Sequence, residues 1–460
     1  MEDNIQKTGP PVEEDKHIIH SLGLQDIKGK PGFCLGDILV YHSSVDVSDV
    51  EIILPAELPL YRMVIDEELS EEDAITGIQN LIRLAPNASC IILAHTISAI
   101  TRQMFIKIGI TPQTTPQVIG DSSIFKSSYV SFLSTIYNRD RPIKPIIRLS
   151  ATPASIELML NQSVDMVVCA DDLHPSEHEY GKKSKEKLES IIRSVGDSTG
   201  KTIIKNGEPV ELSPNCNTIT TGETPYYGSK STGYRTLIIN FIEPINQTVF
   251  SELQKTPLTV STFYYNFISY WIENYDKIFS IIQKRFDEFN KSSLVGITVP
   301  RLQRLYFNLE CSFFLFLTYL YDIGYDSKEN LTYHHGQMQK LLIRTIKEHL
   351  DCINKREAEN PNNANYLEII NDLINNGAFS FTKDKEEAKN MSYDGIITGK
   401  HILIRGERLV KVIKELVPNA TLQMITKNLI SKGAIDKGKD KTSKPFNGAR
   451  FIFIKRSKLR

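Results

Sequence analysis

The sequence predicts an α/β protein whose central sheet is mainly parallel and is covered by helices on both faces. Between about residues 111 and 244, short apolar runs alternate with helical runs, as they do where crossover helices join parallel strands. An almost wholly helical stretch follows to about residue 353, and a last module after a polar break mixes helices with apolar strands. The composition, 41% hydrophobic and 24% charged, is typical of globular proteins and argues against a disordered or fibrous chain.

The cysteine pattern and the apolar stretches indicate the compartment. The six cysteines are widely spaced, which excludes a zinc-ribbon or CxxC redox motif. The N-terminus is acidic and polar and has no apolar signal segment. The most apolar stretch, residues 312–321, is about half as long as a bilayer span requires. These features predict a cytoplasmic protein with reduced thiols and no membrane partner.

Residues 1–85 are expected to form an N-terminal accessory region. After a polar tail, strand-like runs lie between residues 32 and 63, broken by proline and Ser-Asp turns. Ser70-Glu-Glu-Asp73 is a capping-box pattern that opens a helix ending at Pro86. A second helix is predicted over residues 89–107, ending at Gly109.

The α/β core, residues 86–245, contains five predicted strands, and a phosphate-binding loop is the first candidate site. The strands are PQVIG, PIIRLS, VDMVVCA, NTITTG and YRTLIINF. The loop follows the first strand and precedes a helix, so backbone N–H groups and the helix dipole would favour a phosphate. Its lysine would contact the β- and γ-phosphates, and its serine would ligate Mg²⁺. The candidate nucleotide-binding residues are Gly120, Asp121, Ser122, Ser123, Lys126, Ser127 and Ser128.

The loop departs from the usual pattern at one position. Phe125 stands directly before the lysine, where glycine is standard, and its side chain could crowd a nucleotide. An ordinary serine-rich helix cap explains the same residues, so this alternative stays open on the loop alone.

A second group of polar residues would complete a nucleotide-hydrolysing site. We expect an acid on a strand adjacent to the loop, and Asp171-Asp172 end the apolar run VDMVVCA. Asp171 would act on Mg²⁺ together with Ser127, and Asp172 would orient the attacking water. Thr221, at the end of NTITTG, is the candidate sensor of the γ-phosphate. A helix N-cap explains the two aspartates equally well.

Three basic residues are candidates for contacts with phosphate, either within one subunit or from a neighbouring one. They are Arg193, Lys201 and Arg235. An ordinary surface charge is an alternative for each of them. His334-His335 has no acid or cysteine at metal-ligand spacing and is expected at the surface or at a helix cap.

The C-terminal segment predicts DNA binding, although the whole chain has a net charge of only −1. From residue 437 onward the chain has nine basic residues and one acidic residue, a net charge of +8, which leaves a net charge of −9 on the rest of the chain. This segment flanks an apolar strand and follows a polar-tipped helix, an order compatible with a winged helix. A solvated tail is the alternative. The candidate DNA-binding residues are Thr426, Lys427, Lys437, Lys439, Lys441, Lys444, Arg450, Lys455, Arg456 and Lys458.

Taken in order, the motifs resemble those of a known family. The set resembles MCM-like AAA+ helicases of bacterial mobile elements, of the staphylococcal cassette chromosome and pathogenicity-island type, and related phage and element ATPases. The similarity covers roughly residues 85–460. The motifs are Lys126-Ser127, Thr152-Pro-Ala-Ser-Ile-Glu-Leu-Met, Asp171-Asp-Leu-His-Pro, Ile192-Arg-Ser-Val-Gly-Asp, Thr221-Gly-Glu-Thr-Pro and Ser231-Thr-Gly-Tyr-Arg235.

The resemblance implies a P-loop AAA+ core over residues 86–245, a helical region over 246–355 and a winged-helix DNA-binding domain over 356–460. It also implies ATP and Mg²⁺ as cofactors, DNA as a partner, and a homo-oligomeric, hexameric ring with a replication-loading or polymerase partner. Lysine at position 201, where relatives tend to carry arginine, lacks the bidentate fork of an arginine finger.

Three functions therefore remain after the sequence. The leading hypothesis is an ATP-dependent helicase or replication-initiation motor of a mobile genetic element. Phe125 and Lys201 motivate the second, a catalytically weak or inactive AAA+ protein that serves as a DNA-binding initiator, loader or scaffold. The third is a DNA-binding regulator whose α/β domain is only a dimerisation scaffold.

Overall fold

The computed structural model of the chain forms two compact units, Met1–Leu350 and Asp351–Arg460. The sequence placed the start of the terminal module at residue 356, and its finer division of the preceding residues stays a prediction. The residues described are 16–55, 62–122, 124–137, 147–173, 179–205, 208–241, 245–292, 294, 296–358, 364–384, 387, 392–435, 444–446 and 449–459.

The N-terminal part of the first unit contains two small sheets followed by three helices. Strands β2, β3 and β4 form an antiparallel sheet, and β1 pairs with β5 in parallel. The Ser70 hydroxyl accepts from the Asp73 N–H at 3.1 Å, so the predicted cap of α1 is present. The elements are β1 His17–Ile19, β2 Gly23–Ile27, β3 Lys30–Cys34, β4 Leu39–Tyr41, β5 Val50–Ile52, α1 Glu71–Leu84, α2 Pro86–Ile100 and α3 Arg102–Lys107.

A five-stranded parallel sheet follows, with strand order β12-β6-β11-β8-β7. A separate antiparallel hairpin of β9 and β10, which the sequence did not predict, precedes β11. The elements are β6 Thr115–Ile119, α4 Lys126–Ser134, β7 Ile147–Arg148, α5 Pro153–Gln162, β8 Val167–Leu173, α6 Glu179–Asp197, β9 Lys201–Lys205, β10 Glu208–Leu212, β11 Asn217–Gly222, α7 Lys230–Gly233 and β12 Thr236–Asn240.

The sheet has helices on both faces, as the sequence predicted. Side chains alternate along β8: Val167 and Cys169 join the core that contains α2 and α4. Val168 and Ala170 join the core formed with α5 and α6. Because successive side chains of a strand point to opposite faces, this alternation gives helix, sheet and helix layers.

The helices after the sheet share their core with the N-terminal sheets. Trp271 is fully buried and packs edge-on against Phe33, with ring centroids 5.6 Å apart. The accessory and helical regions, which the sequence treated separately, are therefore in direct contact. These helices are α8 Gln247–Lys255, α9 Leu258–Glu273, α10 Tyr275–Lys291, α11 Pro300–Asp322 and α12 Lys328–Ala358. Within the described residues, none of the helices combines the length and apolar character needed to cross a membrane.

In the second unit, a mixed sheet of order β13-β14-β15-β17-β16 packs with three helices around a separate hydrophobic core. The predicted strand GKHILIR, the two helices after it and the strand ARFIFIKR occur in the predicted order. The elements are α13 Tyr366–Asn375, β13 Phe381–Thr382, β14 Gly395–Ile397, β15 His401–Arg405, α14 Gly406–Leu416, α15 Leu422–Ser431, β16 Lys444–Phe446 and β17 Ala449–Lys455.

Candidate functional site

The candidate site lies at the carboxyl edge of the parallel sheet, where β6, β8 and β11 end. The sequence predicted that the acidic strand would neighbour the strand before the loop. That expectation is wrong: β11 pairs with both β6 and β8 and therefore separates them. Strand β8 also continues through Leu173, so Asp171 lies within the strand and pairs with Arg148 of β7. The strand order brings Thr221, rather than Asp171, next to the loop strand.

Three oxygen-bearing side chains, far apart in sequence, meet at this edge. The Ser127 hydroxyl donates to Asp171 Oδ1 at 2.8 Å and lies 3.0 Å from Thr221 Oγ1. The Thr221 hydroxyl donates to the same carboxylate oxygen. Hydroxyl and carboxylate oxygens are the ligands that Mg²⁺ prefers, and it takes only one or two protein ligands when phosphates and water supply the rest. The donor set therefore fits the predicted metal.

Lys126 is buried beside this cluster without an acid to neutralise it. Its side chain is only 8% exposed, and its ammonium donates to the backbone carbonyl of Asp121 at 2.8 Å. No carboxylate pairs with it in the part of the chain that the structure describes. A buried charge is costly unless it is paired, so the position favours an anionic ligand such as a phosphate.

The loop itself has two constrained positions. A Cβ at Gly120 would lie 2.3 Å from the carbonyl oxygen of Phe241, so only glycine fits this close approach. Phe125 adopts a left-handed conformation, with φ of +63°, immediately before α4, and its ring is 43% exposed. The ring is thus turned to solvent, and the strain falls on the backbone. Ser123 lies outside the described residues, and Asp121, Ser122 and Ser128 lie along the loop and the first turn of α4.

The structure does not bring the three basic candidates to this cluster. Arg235 precedes β12 and so lies at the amino edge, where it is 9% exposed and bound to Asp197 and to the Ser231 carbonyl at 2.7 Å. Arg193 pairs with Glu189 at 2.9 Å and is half exposed. Lys201 lies on the hairpin strand β9 and pairs with Glu157. The side chain of Asp172 is outside the described residues.

The candidate DNA-binding residues of the second unit differ in their exposure. Thr426 is only 5% exposed and its hydroxyl donates to the Leu422 carbonyl at 2.8 Å, so its side chain is unavailable to a ligand. Four basic side chains are exposed, namely Lys427, Arg450, Arg456 and Lys458, and Lys455 is half-buried. Lys437, Lys439 and Lys441 lie outside the described residues, as does the side chain of Lys444.

The helices contain a buried ionic cluster that the sequence did not predict. His335, expected at the surface or at a helix cap, contacts Glu310, and this carboxylate also accepts from Arg285 and from Gln339 at 3.0 Å. Burial raises the pKa of Glu310, but the His335 bond and the Arg285 charge outweigh it and hold that pKa below its usual value. The partners belong to three helices, so no local spacing in the sequence could have revealed them.

The parallel sheet, with helices on both faces and polar residues at its carboxyl edge, defines an α/β fold. The solved structure described as "SCCmec type IV Cch - active helicase" matches over 96% of this chain and 80% of its own, with a TM-score of 0.57 and 14% identity. The resemblance to helicases of mobile elements is thereby confirmed at the level of the fold. The apo A form of the NrS-1 C-terminal region matches over 90% of this chain and 84% of its own at 14% identity, but its TM-score is 0.31. No family model and no curated protein sequence matches the chain.

Proposed function

We propose that the chain is an ATP-dependent DNA helicase or replication-initiation motor of a mobile genetic element, acting as a homo-oligomeric ring. One observation carries the proposal: Ser127, Asp171 and Thr221 meet beside the unneutralised Lys126. A structural helix cap requires neither a buried, acid-free lysine nor a carboxylate from a distant strand. The fold similarity to a solved helicase supports the same reading.

Each residue of the cluster has a role that its position supports. Lys126 would exchange the Asp121 carbonyl for phosphate oxygens, because an anion satisfies a buried ammonium better than a neutral carbonyl does. Ser127 and Asp171 would hold Mg²⁺, and Thr221 would orient the groups around the transferred phosphoryl. MgATP would supply the phosphoanhydride bond whose hydrolysis drives movement along DNA.

In the proposed ring, basic residues that lie away from the Ser127 cluster of their own subunit would act elsewhere, either at a neighbouring subunit's site or on DNA. Arg193 is half exposed and lies away from the Ser127 cluster, so it would serve a neighbouring site. The exposed basic side chains of the second unit would bind DNA phosphates, which predicts affinity that falls steeply with salt.

A second function is favoured by the conformation of the loop. Phe125 in the left-handed region and Lys126 folded back onto Asp121 describe a loop closed upon itself. A loop that stays closed would make the protein a catalytically weak or inactive AAA+ protein that acts as a DNA-binding initiator, loader or scaffold.

ATP turnover by the full chain, with Mg²⁺ and DNA, separates the two functions. We expect turnover that Lys126→Ala abolishes and that the control Lys255→Ala, an exposed lysine of α8, leaves intact. Phe125→Gly should raise turnover, because glycine adopts the left-handed conformation without strain. Nucleotide binding without turnover would support the second function, and absence of binding would contradict the phosphate site.

A further inference from the structure

The basic residues at the C-terminus lie at two separate ends of strand β17. Arg450 lies at its start, on the side where α14 and α15 begin. There, a Cβ at Gly406 would be 3.9 Å from the Arg450 carbonyl and 3.3 Å from Leu422. The seven residues of β17 carry the chain about 20 Å away from that side. Arg456 and Lys458 follow the other end of the strand, so the charge that is continuous in sequence does not form one surface.

Three segments of the second unit meet where β17 ends. The Arg456 N–H donates to the carbonyl of Lys400, in the turn between β14 and β15, at 3.0 Å. The Lys455 N–H donates to the carbonyl of Ala434, just after α15, at 2.8 Å. Each segment adds at least one exposed cation. These cations form the β17-end cluster, which consists of Lys400, Lys432, Arg456 and Lys458.

The β17-end cluster has no acidic partner among the described residues. The segments that form it, residues 395–401, 429–435 and 452–459, contain no aspartate or glutamate. None of its four side chains forms an ion pair with a carboxylate in the part of the chain that the structure describes. The exposed lysines of α14 differ, because exposed glutamates lie on the same helix. Neighbouring cations without an acid produce a positive potential that attracts a polyanion.

A helix cap does not account for this cluster. Lys432 ends α15, and Lys458 Cε lies 3.9 Å from the position of a Cβ at Gly433, so both could favour the negative end of the helix dipole. However, the N–H groups of Gly433 and Ala434 already donate to carbonyls of the last turn, at 2.9 and 2.8 Å. The end of α15 is therefore closed by the backbone, and the other two cations of the cluster belong to other segments.

We propose that the β17-end cluster binds backbone phosphates of DNA and is a second contact surface, separate from Arg450 at the start of the strand. The inference rests on the proposed DNA partner of the second unit and adds Lys400 and Lys432 to it. Each cation forms a charge-assisted bond with a phosphate oxygen. Such contacts carry no sequence information, and each one releases counterions from the DNA. The second unit thus holds DNA at both ends of β17.

The test compares two double variants of the full chain that remove the same charge. Lys400→Ala with Lys432→Ala changes the cluster, and Lys411→Ala with Lys414→Ala changes two exposed lysines of α14. Fluorescence anisotropy measures the binding of two labelled duplexes of unrelated sequence at several salt concentrations. We expect the cluster variant to bind both duplexes about tenfold more weakly, with a slope of log affinity against log salt that is flatter by about one to two. The α14 variant should match the unaltered chain.

A charge-retaining variant excludes a loss of fold as the cause. Lys400→Arg with Lys432→Arg should bind DNA as the unaltered chain does, and thermal unfolding checks all the variants. Equal affinity and equal salt slope in the two alanine variants would overturn the inference but leave the proposed function intact. A loss confined to one duplex would also overturn it, because phosphate contacts are common to both. Absence of DNA binding by the unaltered chain would instead contradict the DNA partner of the proposed function itself.

Discussion

The charged residues at the two edges of the parallel sheet have different kinds of partner. At the carboxyl edge Lys126 is buried with a neutral carbonyl as its partner, and Asp171 accepts only from hydroxyls among its described contacts. At the amino edge Arg235 is bound to Asp197, and the carboxyl of Asp165 accepts from Leu24 N–H and Gln103 at 3.0 Å each. Arg235 and Asp165 at the amino edge thus have charged or donor partners within the chain, whereas the Lys126 ammonium at the carboxyl edge has only a neutral carbonyl among the described residues and can still take an anionic ligand. The comparison predicts that changes at the carboxyl edge alter activity and that changes at the amino edge alter stability.

The largest expected effect is on ATP turnover, and it should distinguish Asp171 from Asp197 when each is changed to asparagine. Asp171→Asn should lower ATP turnover by about 100-fold or more, because the amide binds Mg²⁺ poorly, while the melting temperature changes little. Asp197→Asn is the matched control at the amino edge and should leave turnover within about threefold. Steady-state ATP hydrolysis and calorimetric melting of both variants give the comparison. A loss of turnover that is equal in the two variants would contradict the division between the edges.

The next largest effect concerns His95, which is buried against β11 and bound to the Thr218 carbonyl at 2.9 Å. Burial lowers its pKa to about 4, so the folded protein resists protonation that the unfolded chain accepts near pH 6.5. The resulting stabilisation is complete above pH 6.5 and is lost as the pH falls towards 4, at up to about 1.4 kcal/mol per pH unit. His95→Gln should remove this dependence, as measured by urea unfolding between pH 4 and 7.

Asp165 should act with the opposite sign in the same pH range. Burial raises its pKa to about 6, above the value of 3.8 for the exposed group. The contribution of Asp165 to the stability of the folded protein is therefore complete below pH 3.8 and is lost as the pH rises through 6. In the Asp165→Asn variant the free energy of unfolding should therefore fall more steeply as the pH drops, because the His95 effect is no longer offset. Identical pH profiles for Asp165→Asn and the unaltered chain would show that this carboxyl is not buried as described.

A smaller effect is expected from the ion pair at the amino edge. Asp197→Asn should lower the free energy of unfolding by roughly 1 kcal/mol, because Arg235 keeps the Ser231 carbonyl and the half-exposed carboxylate is screened by solvent. A double-mutant cycle with Arg235→Gln measures the coupling. A coupling of zero would show that the pair contributes nothing to stability.

The smallest expected effect is a gain in the free energy of unfolding rather than a loss. Lys126→Met should leave the free energy of unfolding of the ligand-free protein unchanged or raise it by about 1 kcal/mol, because it removes a buried charge that no acid among the described residues neutralises. Arg235→Met, which removes a paired charge, should lower it. Denaturant unfolding without nucleotide measures both variants, and a clear loss of stability in Lys126→Met would show that the lysine has a structural role.

The sequence predicted the elements of the site better than their arrangement. Apolar runs of the right length marked β6, β8 and β11, and Ser127, Asp171 and Thr221, which the sequence singled out separately, lie within hydrogen-bonding distance of one another; their role in a nucleotide site stays a prediction. The order of strands was not predictable, because the position of β11 between β6 and β8 depends on packing across the whole sheet. The hairpin of β9 and β10 was missed because most of the described side chains of its strands are exposed, Ile204 at 71%, so they give no apolar stripe.

The contact between Phe33 and Trp271 has a practical consequence. Trp271 is the single tryptophan of the chain, is fully shielded from water, and donates its indole N–H to Met104 Sδ at 3.1 Å. Its fluorescence is therefore an intrinsic optical reporter of one seam, where the N-terminal sheets meet the long helices. Any event that opens this seam shifts the emission to longer wavelength as water reaches the ring, without a label attached to the protein.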